Sequence, residues 1–294
     1  MPKFTQKLQE TEWNIAVVDN SLESIVKGEP LRYKMMKYKN KDAWYADPFV
    51  LDVNDSEIII LAEEMLFSLG HARISKLVID RRSMTLKDVI PLLTLSTHLS
   101  YPAIIREGKD IFVYPESGYS GKLTRYLYDI EREKLVEHDL ILEGPLADAT
   151  IYTFEGSEYL FCTKLPDCNG KELLVYRHDG KTWNLFQKHA FNENIARMAG
   201  DFFNVNDVIY RPAQDCNASY GNGLVIQKIE LKDGKFHFAE VARYFSNNKV
   251  YPDGIHTLNS YKNVTVVDFV GKPRYPIANK LITFTKRFVN HKKM

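Results

Sequence analysis

Short apolar runs separated by polar turns recur along the whole chain, and few are longer than a single strand. Five segments repeat one pattern: a polar or turn cluster, an apolar run, a charged or Gly/Asn turn, then a second apolar run. They read WYADPFVLDVNDSEIIILAEE from Trp44, LSYPAIIREGKDIFVYPES from Leu99, PLADATIYTFEGSEYLFCTK from Pro145, MAGDFFNVNDVIYRPAQD from Met198 and YPDGIHTLNSYKNVTVVDF from Tyr251. Aligned on Asp47, Pro102, Asp148, Asp201 and Asp253, the spacings are 55, 46, 53 and 52 residues. A third β-type run follows in each unit (73–80, 123–130, 172–179, 223–231 and 279–285), and a fourth is visible at 135–142 and 236–245.

These runs are rich in Ile, Val, Tyr and Phe and bounded by Gly, Asn and Asp, which reads as strands. Asp179-Gly180 and Asp233-Gly234 are hairpin turn pairs. Only 21–26 and 86–95 offer a helical alternative. Up to four strands repeated about every fifty residues is the sequence form of a propeller blade. The predicted fold is therefore all-β, a single five-bladed β-propeller over 1–294 with blades starting near 44, 99, 145, 198 and 251. Residues 1–43 carry two strand-like runs, expected to close the ring against the last blade.

In such a wheel the inner strand of each blade lines a central channel, and the loops entering those strands meet at one mouth. This predicts a ring of Asp47, Tyr101, Asp148, Asp201 and either Asp253 or His256. The ends of the second strands bring Glu63 or Glu64, Glu116, and Arg211 with Gln214 and Asp215. A plain turn accepts Asn, Ser or Gly as readily as Asp, so repeated acids at matched positions read as functional. Crowded carboxylates raise one another's pKa, the arrangement that two-carboxylate glycosyl chemistry requires. Chain-wide, 17 Tyr and 16 Phe supply ring faces for sugars.

Composition removes other classes. With 39 Lys+Arg against 38 Asp+Glu the net charge is +1, which provides no basic field for nucleic acid. No window approaches 18 uncharged apolar residues, so no transmembrane segment is predicted. The N-terminus lacks an apolar signal region, and Cys162, Cys168 and Cys216 form no CxxC pair; a cytoplasmic location is expected. The histidines lack HxH or HExxH spacing, so no metal ligand set and no cofactor are predicted. Convergent carboxylates and carbonyls would nonetheless suit Ca²⁺ in the channel. The basic tail Lys286, Arg287, His291, Lys292 and Lys293 reads as a solvated end. Nothing in the sequence sets an oligomeric state.

Five motifs carry a resemblance: Tyr45-Ala46-Asp47-Pro48-Phe49; Ser100-Tyr101-Pro102 with Tyr114-Pro115-Glu116-Ser117; Asp148-Ala149-Thr150-Ile151; Arg211-Pro212-Ala213-Gln214-Asp215-Cys216 with Tyr220-Gly221; and Asp253-Gly254-Ile255-His256-Thr257-Leu258-Asn259. In this order, over about 44–270, they resemble the propeller family found N-terminal in plant glucosamine inositolphosphorylceramide transferase and in bacterial proteins of polysaccharide synthesis. That family is similar in turn to the five-bladed glycoside hydrolase superfamily of families 43 and 32. The resemblance implies Asp47 as base or nucleophile and Glu116 as acid, with Glu143 of Glu143-Gly144-Pro145 as the competing acid. It implies Asp148 as pKa modulator or sugar anchor. Tyr101, Arg211, Gln214, Asp215, Asp253 and His256 would bind substrate. The expected activity is glycosyl hydrolysis or transfer on a glycan or glycoconjugate. The alternatives are a non-catalytic carbohydrate-binding or scaffold module of a polysaccharide-synthesis system, and a protein-interaction propeller.

Overall fold

Each repeat unit folds into one four-stranded antiparallel sheet in the computed structural model, which describes residues 11–272. Blade 1 comprises Ala43–Val53, Glu57–Leu66, His71–Asp80 and Leu86–Leu93. Blade 2 comprises Ser100–Glu107, Asp110–Glu116, Lys122–Asp129 and Lys134–Glu143. Blade 3 runs through Leu146–Phe154, Ser157–Lys164, Glu172–His178 and Trp183–Ala190, and blade 4 through Phe203–Val205, Val208–Asp215, Gly223–Lys232 and Lys235–Phe245. The five sheets form the predicted five-bladed propeller.

Blade 5 is assembled from both ends of the chain. Gly254–Tyr261 and Val264–Gly271 pair with the N-terminal strand Glu12–Val18, which in turn pairs with Tyr33–Met35. Seven register pairs, from Glu12 opposite Gly271 to Val18 opposite Thr265, zip the ring shut. The third run of this unit, 279–285, and the basic tail lie outside the described residues. Within segment 86–95, Leu86–Leu93 is a strand, whereas 22–26 forms a short α-helix, α1 (Leu22–Val26), capped by the Ser21 hydroxyl accepting from Ser24 N. Lys87, Asp88 and Pro91 face solvent while Leu92 is buried, so exposure does not alternate here; the ladder to His71–Asp80 is what makes this segment a strand.

Four hairpins share one turn chemistry, whereas at Asp179-Gly180 only the glycine has positive φ. Glu155-Gly156, Asn206-Asp207, Asp233-Gly234 and Lys262-Asn263 all carry positive φ at both residues, the two-residue turn whose twist matches the strands. Faces between blades are filled by apolar side chains. Phe154, Phe161, Phe202 and Phe236 interlock edge-on or tilted with centroids 4.8 to 6.1 Å apart, each burial contributing about 1.5–3 kcal/mol.

What positions the site is a bulge repeated in the inner strands. The ladder slips between Ala46 and Phe49, Ser100 and Ala103, Ala147 and Thr150, and Ile255 and Leu258. At the first three slips the extra residue is Asp47, Tyr101 or Asp148, at φ 49°, 45° and 45°. Bulges re-aim side chains and free one amide from the ladder. Here they occur at one level around the axis.

Candidate functional site

A freed, buried amide needs an acceptor, and acidic side chains supply them. Asp268 Oδ2 accepts from Asp47 N at 2.8 Å, Asp47 Oδ2 from Tyr101 N at 3.0 Å, and Glu116 Oε2 from Asp148 N at 2.9 Å. Each bond crosses from one blade to the next. Asn259 Oδ1 does the same for Asp201 N at 2.7 Å in blade 4. The hub therefore has a structural use for buried acceptors, with Asp47 serving from a matched position and Asp268, Glu116 and Asn259 from others, contrary to the expectation that matched acids read as functional.

Two clusters meet at this level. In the first, Asp148 is 1% exposed and is bound by Arg197 through Nε to Oδ2 at 2.5 Å and Nη2 to Oδ1 at 3.2 Å. Gln214 Nε2 adds a third donor at 2.6 Å. The same Arg197 Nη2 reaches Glu116 Oε2 at 3.1 Å, and Nη1 donates to Asn169 Oδ1 at 2.9 Å. Burial drives the Glu116 carboxyl well above the ordinary carboxylate range; Arg197 opposes this and Asp148 adds to it. In the second cluster, His256 Nδ1 lies 2.8 Å from Asp268 Oδ1, while Asp47 Oδ1 accepts from the Thr257 hydroxyl at 2.7 Å. Burial opposes a charged imidazole, but Asp268 and Asp47 outweigh it and lift His256 to about 9. Burial also pushes Asp47 up to about 7, with His256 pulling down and Asp148, Glu63 and Asp268 adding.

Aromatic residues wall the mouth. Trp13, carried in by the ring-closing strand, stacks on His256 with centroids 3.8 Å apart. Tyr220 stands edge-on to both Trp13 and His256, lies 5.0 Å from the Arg197 guanidinium and is 43% exposed. Glu63, buried, pairs with the more exposed His98 at 3.1 Å. The hub thus offers a polar floor, a fixed guanidinium and one accessible ring.

Asp47, Glu116, Asp148, Gln214 and His256 are brought together here, with the Tyr101 ring buried beneath, its hydroxyl 2.8 Å from Thr150 Oγ1. Other expected residues lie elsewhere. Arg211 is completely buried and spends its donors on the Ile195 and Ala196 carbonyls, Gln227 and the Met198 sulfur, so it cannot reach a ligand. Asp215 is taken by Arg243 at 2.7 Å and by Asn217. Asp253 is exposed on a turn, and His256 fills the blade 5 position instead. Glu64 bonds Arg73 and Ser75, and Glu143 is exposed on the outer strand of blade 2. Asp201 accepts from Phe202 N, and burial lifts it to about 7.

Arg197, Asp268, Trp13 and Tyr220 were not expected at the site. Asp268 had a signal, a lone acid inside the apolar run VTVVDFVG; Arg197 sits just ahead of the blade 4 motif. Asp47, His256 and Asp268 place ligand atoms within 4.8 Å of one another and are the residues that could hold a cation. Asp268 already accepts four hydrogen bonds, from Asp47 N, His256 N, His256 Nδ1 and Thr257 N. Ca²⁺ takes roughly six to eight oxygens, so this donor set fits a proton on His256 better than that ion.

Several solved propellers share this architecture. An exo-β-1,3-galactanase from Phanerochaete chrysosporium, with bound β-1,3-galactotriose, superposes at a TM-score of 0.53 and 8% identity, covering 71% of this chain and 54% of that one. A glycoside hydrolase family 43 arabinoxylan arabinofuranohydrolase from Bacillus subtilis superposes at 0.52 and 12% identity, covering 79% and 64%. At these identities the likeness shows the fold alone. In sequence, the glucosamine inositolphosphorylceramide transferase 1 of Arabidopsis thaliana is 28% identical over 158 residues, 51% of this chain and 20% of the relative. That of Oryza sativa subsp. indica is 26% identical over 143 residues, 45% and 19%. The matches span about a fifth of these relatives. The family model described as glucosamine inositolphosphorylceramide transferase 1, N-terminal, matches residues 33–263, and the chain belongs to that family.

Proposed function

We propose that the hub binds the sugar head of a glycoconjugate and does not cleave it. The observation that carries this reading is the single Arg197 guanidinium shared by Asp148 and Glu116. Two-carboxylate glycosyl chemistry needs one acid free to give its proton and one base free to act on water or the sugar. Asp148 is locked by Arg197 and Gln214, and Asp47, 3% exposed, is occupied by Tyr101 N and the Thr257 hydroxyl. The Arg197 donors are all committed to Asp148, Glu116, Asn169 and Cys168, so the guanidinium holds the floor of the site rigid, and Tyr220 supplies a face for the apolar side of a pyranose.

The names of the relatives support a place in glycolipid synthesis, where such a module would present a glycoconjugate to a transferase. Calorimetric titration with a panel of oligosaccharides and glycolipid head groups tests this. Saturable binding weakened in Tyr220→Ala and Arg197→Lys supports it; binding untouched by both rejects it.

A second reading, hydrolysis or transfer, is favoured by the upward shift that burial gives Glu116 and by the Asp47 carboxyl near 7. It requires that Glu116→Gln and Asp47→Asn each abolish turnover in the folded protein.

A further inference from the structure

The Glu143-Gly144-Pro145 segment, attractive in sequence as an acid motif, belongs to another place. Glu143 ends the outer strand of blade 2 and lines a cleft of about 560 Å³ between blades 2 and 3. Its apolar lining comes from Ile105, Ile141 and Ile151. On one wall Arg125 grips Asp139 with two prongs, Nε to Oδ1 at 2.7 Å and Nη2 to Oδ2 at 3.1 Å. On the other, His178 lies 3.5 Å from Glu158, and its ring leans on Trp183 with centroids 4.9 Å apart at 43°. Trp183 is half-buried, leaving part of the indole open.

We propose that this cleft is a second saccharide site, distinct from the hub, taking a neutral oligosaccharide. Its volume falls in the range of small-molecule sites, about 300–1,000 Å³. Indole and isoleucine surfaces match the C–H face of a pyranose, whereas the paired Arg125–Asp139 and His178–Glu158 groups offer donors and acceptors to its hydroxyls. Charge selects against acidic ligands. Arg125 and Lys181 stand against Asp139, Glu143 and Glu158, formally one negative charge in excess. A phosphate or uronate would be repelled. A neutral glycan leaves the Arg125–Asp139 ion pair intact while it hydrogen-bonds to its free edges.

The proposal stands independently of the hub, and its test separates the two. Cellotetraose and β-1,3-galactotriose serve as probes, followed by calorimetric stoichiometry and by quenching of tryptophan fluorescence. Trp13 and Trp44 share one cluster at blades 1 and 5, with Trp13 beside Tyr220 at the hub, so the quenching that belongs to the cleft is the part that survives Tyr220→Ala. Thr182→Arg, on an exposed turn, fills the cleft mouth without touching the core, and Trp183→Phe removes the reporter. Both variants should weaken saccharide binding at this site at least tenfold and abolish the quenching, while Tyr220→Ala leaves them unchanged. Stoichiometry and quenching unaffected by Thr182→Arg would overturn the proposal. So would loss of all saccharide binding in Tyr220→Ala alone, or no binding of either probe.

Discussion

Arg197 holds Asp148 by both carboxylate oxygens, Nε at 2.5 Å and Nη2 at 3.2 Å, in a part of the hub where Asp148 is 1% exposed. One guanidinium therefore ties blade 4 to blade 3 and, through Glu116, to blade 2. Removing one member of a buried ion pair leaves a charge without solvent or partner, whereas removing the whole set is far less costly.

Arg197→Met should accordingly destabilise the fold by about 3–5 kcal/mol. Adding Glu116→Gln and Asp148→Asn should recover most of that loss, because no unpaired charge then remains. Urea melts of the single and triple variants check this; a single variant within about 0.5 kcal/mol of the parent, the scale of ordinary surface changes, would mean that the pair is not desolvated.

Stability should fall as pH rises. His256 is lifted from 6.5 to about 9, so its contribution is complete below 6.5 and is lost as pH passes through about 9. Asp47, lifted from 3.8 to about 7, acts in the same direction: its contribution is complete below about 4 and is lost as pH passes through about 7. Thermal melts between pH 6 and pH 9.5 should show a loss on the order of 1–3 kcal/mol. His256→Gln should flatten the upper part of that profile. An unchanged slope in the variant would show that the imidazole is not charged between its two acids.

Gly200 marks the close approach of blades 4 and 5. Its φ is 141°, and a Cβ placed there would lie 2.0 Å from the Leu258 carbonyl oxygen, which sits beside the Leu258 N to Ala199 O bond linking the two blades. Gly200→Ala combines backbone strain with a clash against main chain that cannot swing away. A loss of about 3 kcal/mol or more follows. Chemical denaturation reads it directly.

Tyr220→Ala should behave in the opposite way. The side chain is 43% exposed, makes edge contacts with Trp13 and His256 and lies 5.0 Å from the Arg197 guanidinium, so the melting temperature should move by no more than about 2–4 °C, the equivalent of roughly 1 kcal/mol in a domain of this size. Saccharide affinity should drop roughly five- to tenfold, the weight of one aromatic face. A large fall in stability with affinity intact would place Tyr220 in the scaffold rather than the site.

The wheel was readable in sequence because each blade repeats one local grammar, and paired positive-φ turns such as Asp233-Gly234 are written in residue type. The inward-facing layer was half readable. Asp47, Tyr101 and Asp148 announce themselves as matched motif positions, but the reason they match is the bulge amide, a backbone property that residue types do not display. Arg211 illustrates the converse. It stands in a motif beside Gln214, yet alternation on the Val208–Asp215 strand turns it under the 195–198 segment while Gln214 faces Asp148. Trp13 and Tyr220 reach the mouth from a ring-closing strand and a loop, where no period predicts direction.

The most direct test of a hub that binds without cutting is product analysis. Incubate the intact protein with an oligosaccharide or glycolipid head group shown to bind, then assay for released reducing sugar. Saturable binding with no release above the Arg197→Lys control is the predicted result. Release that disappears in Glu116→Gln, with affinity retained, would contradict the account.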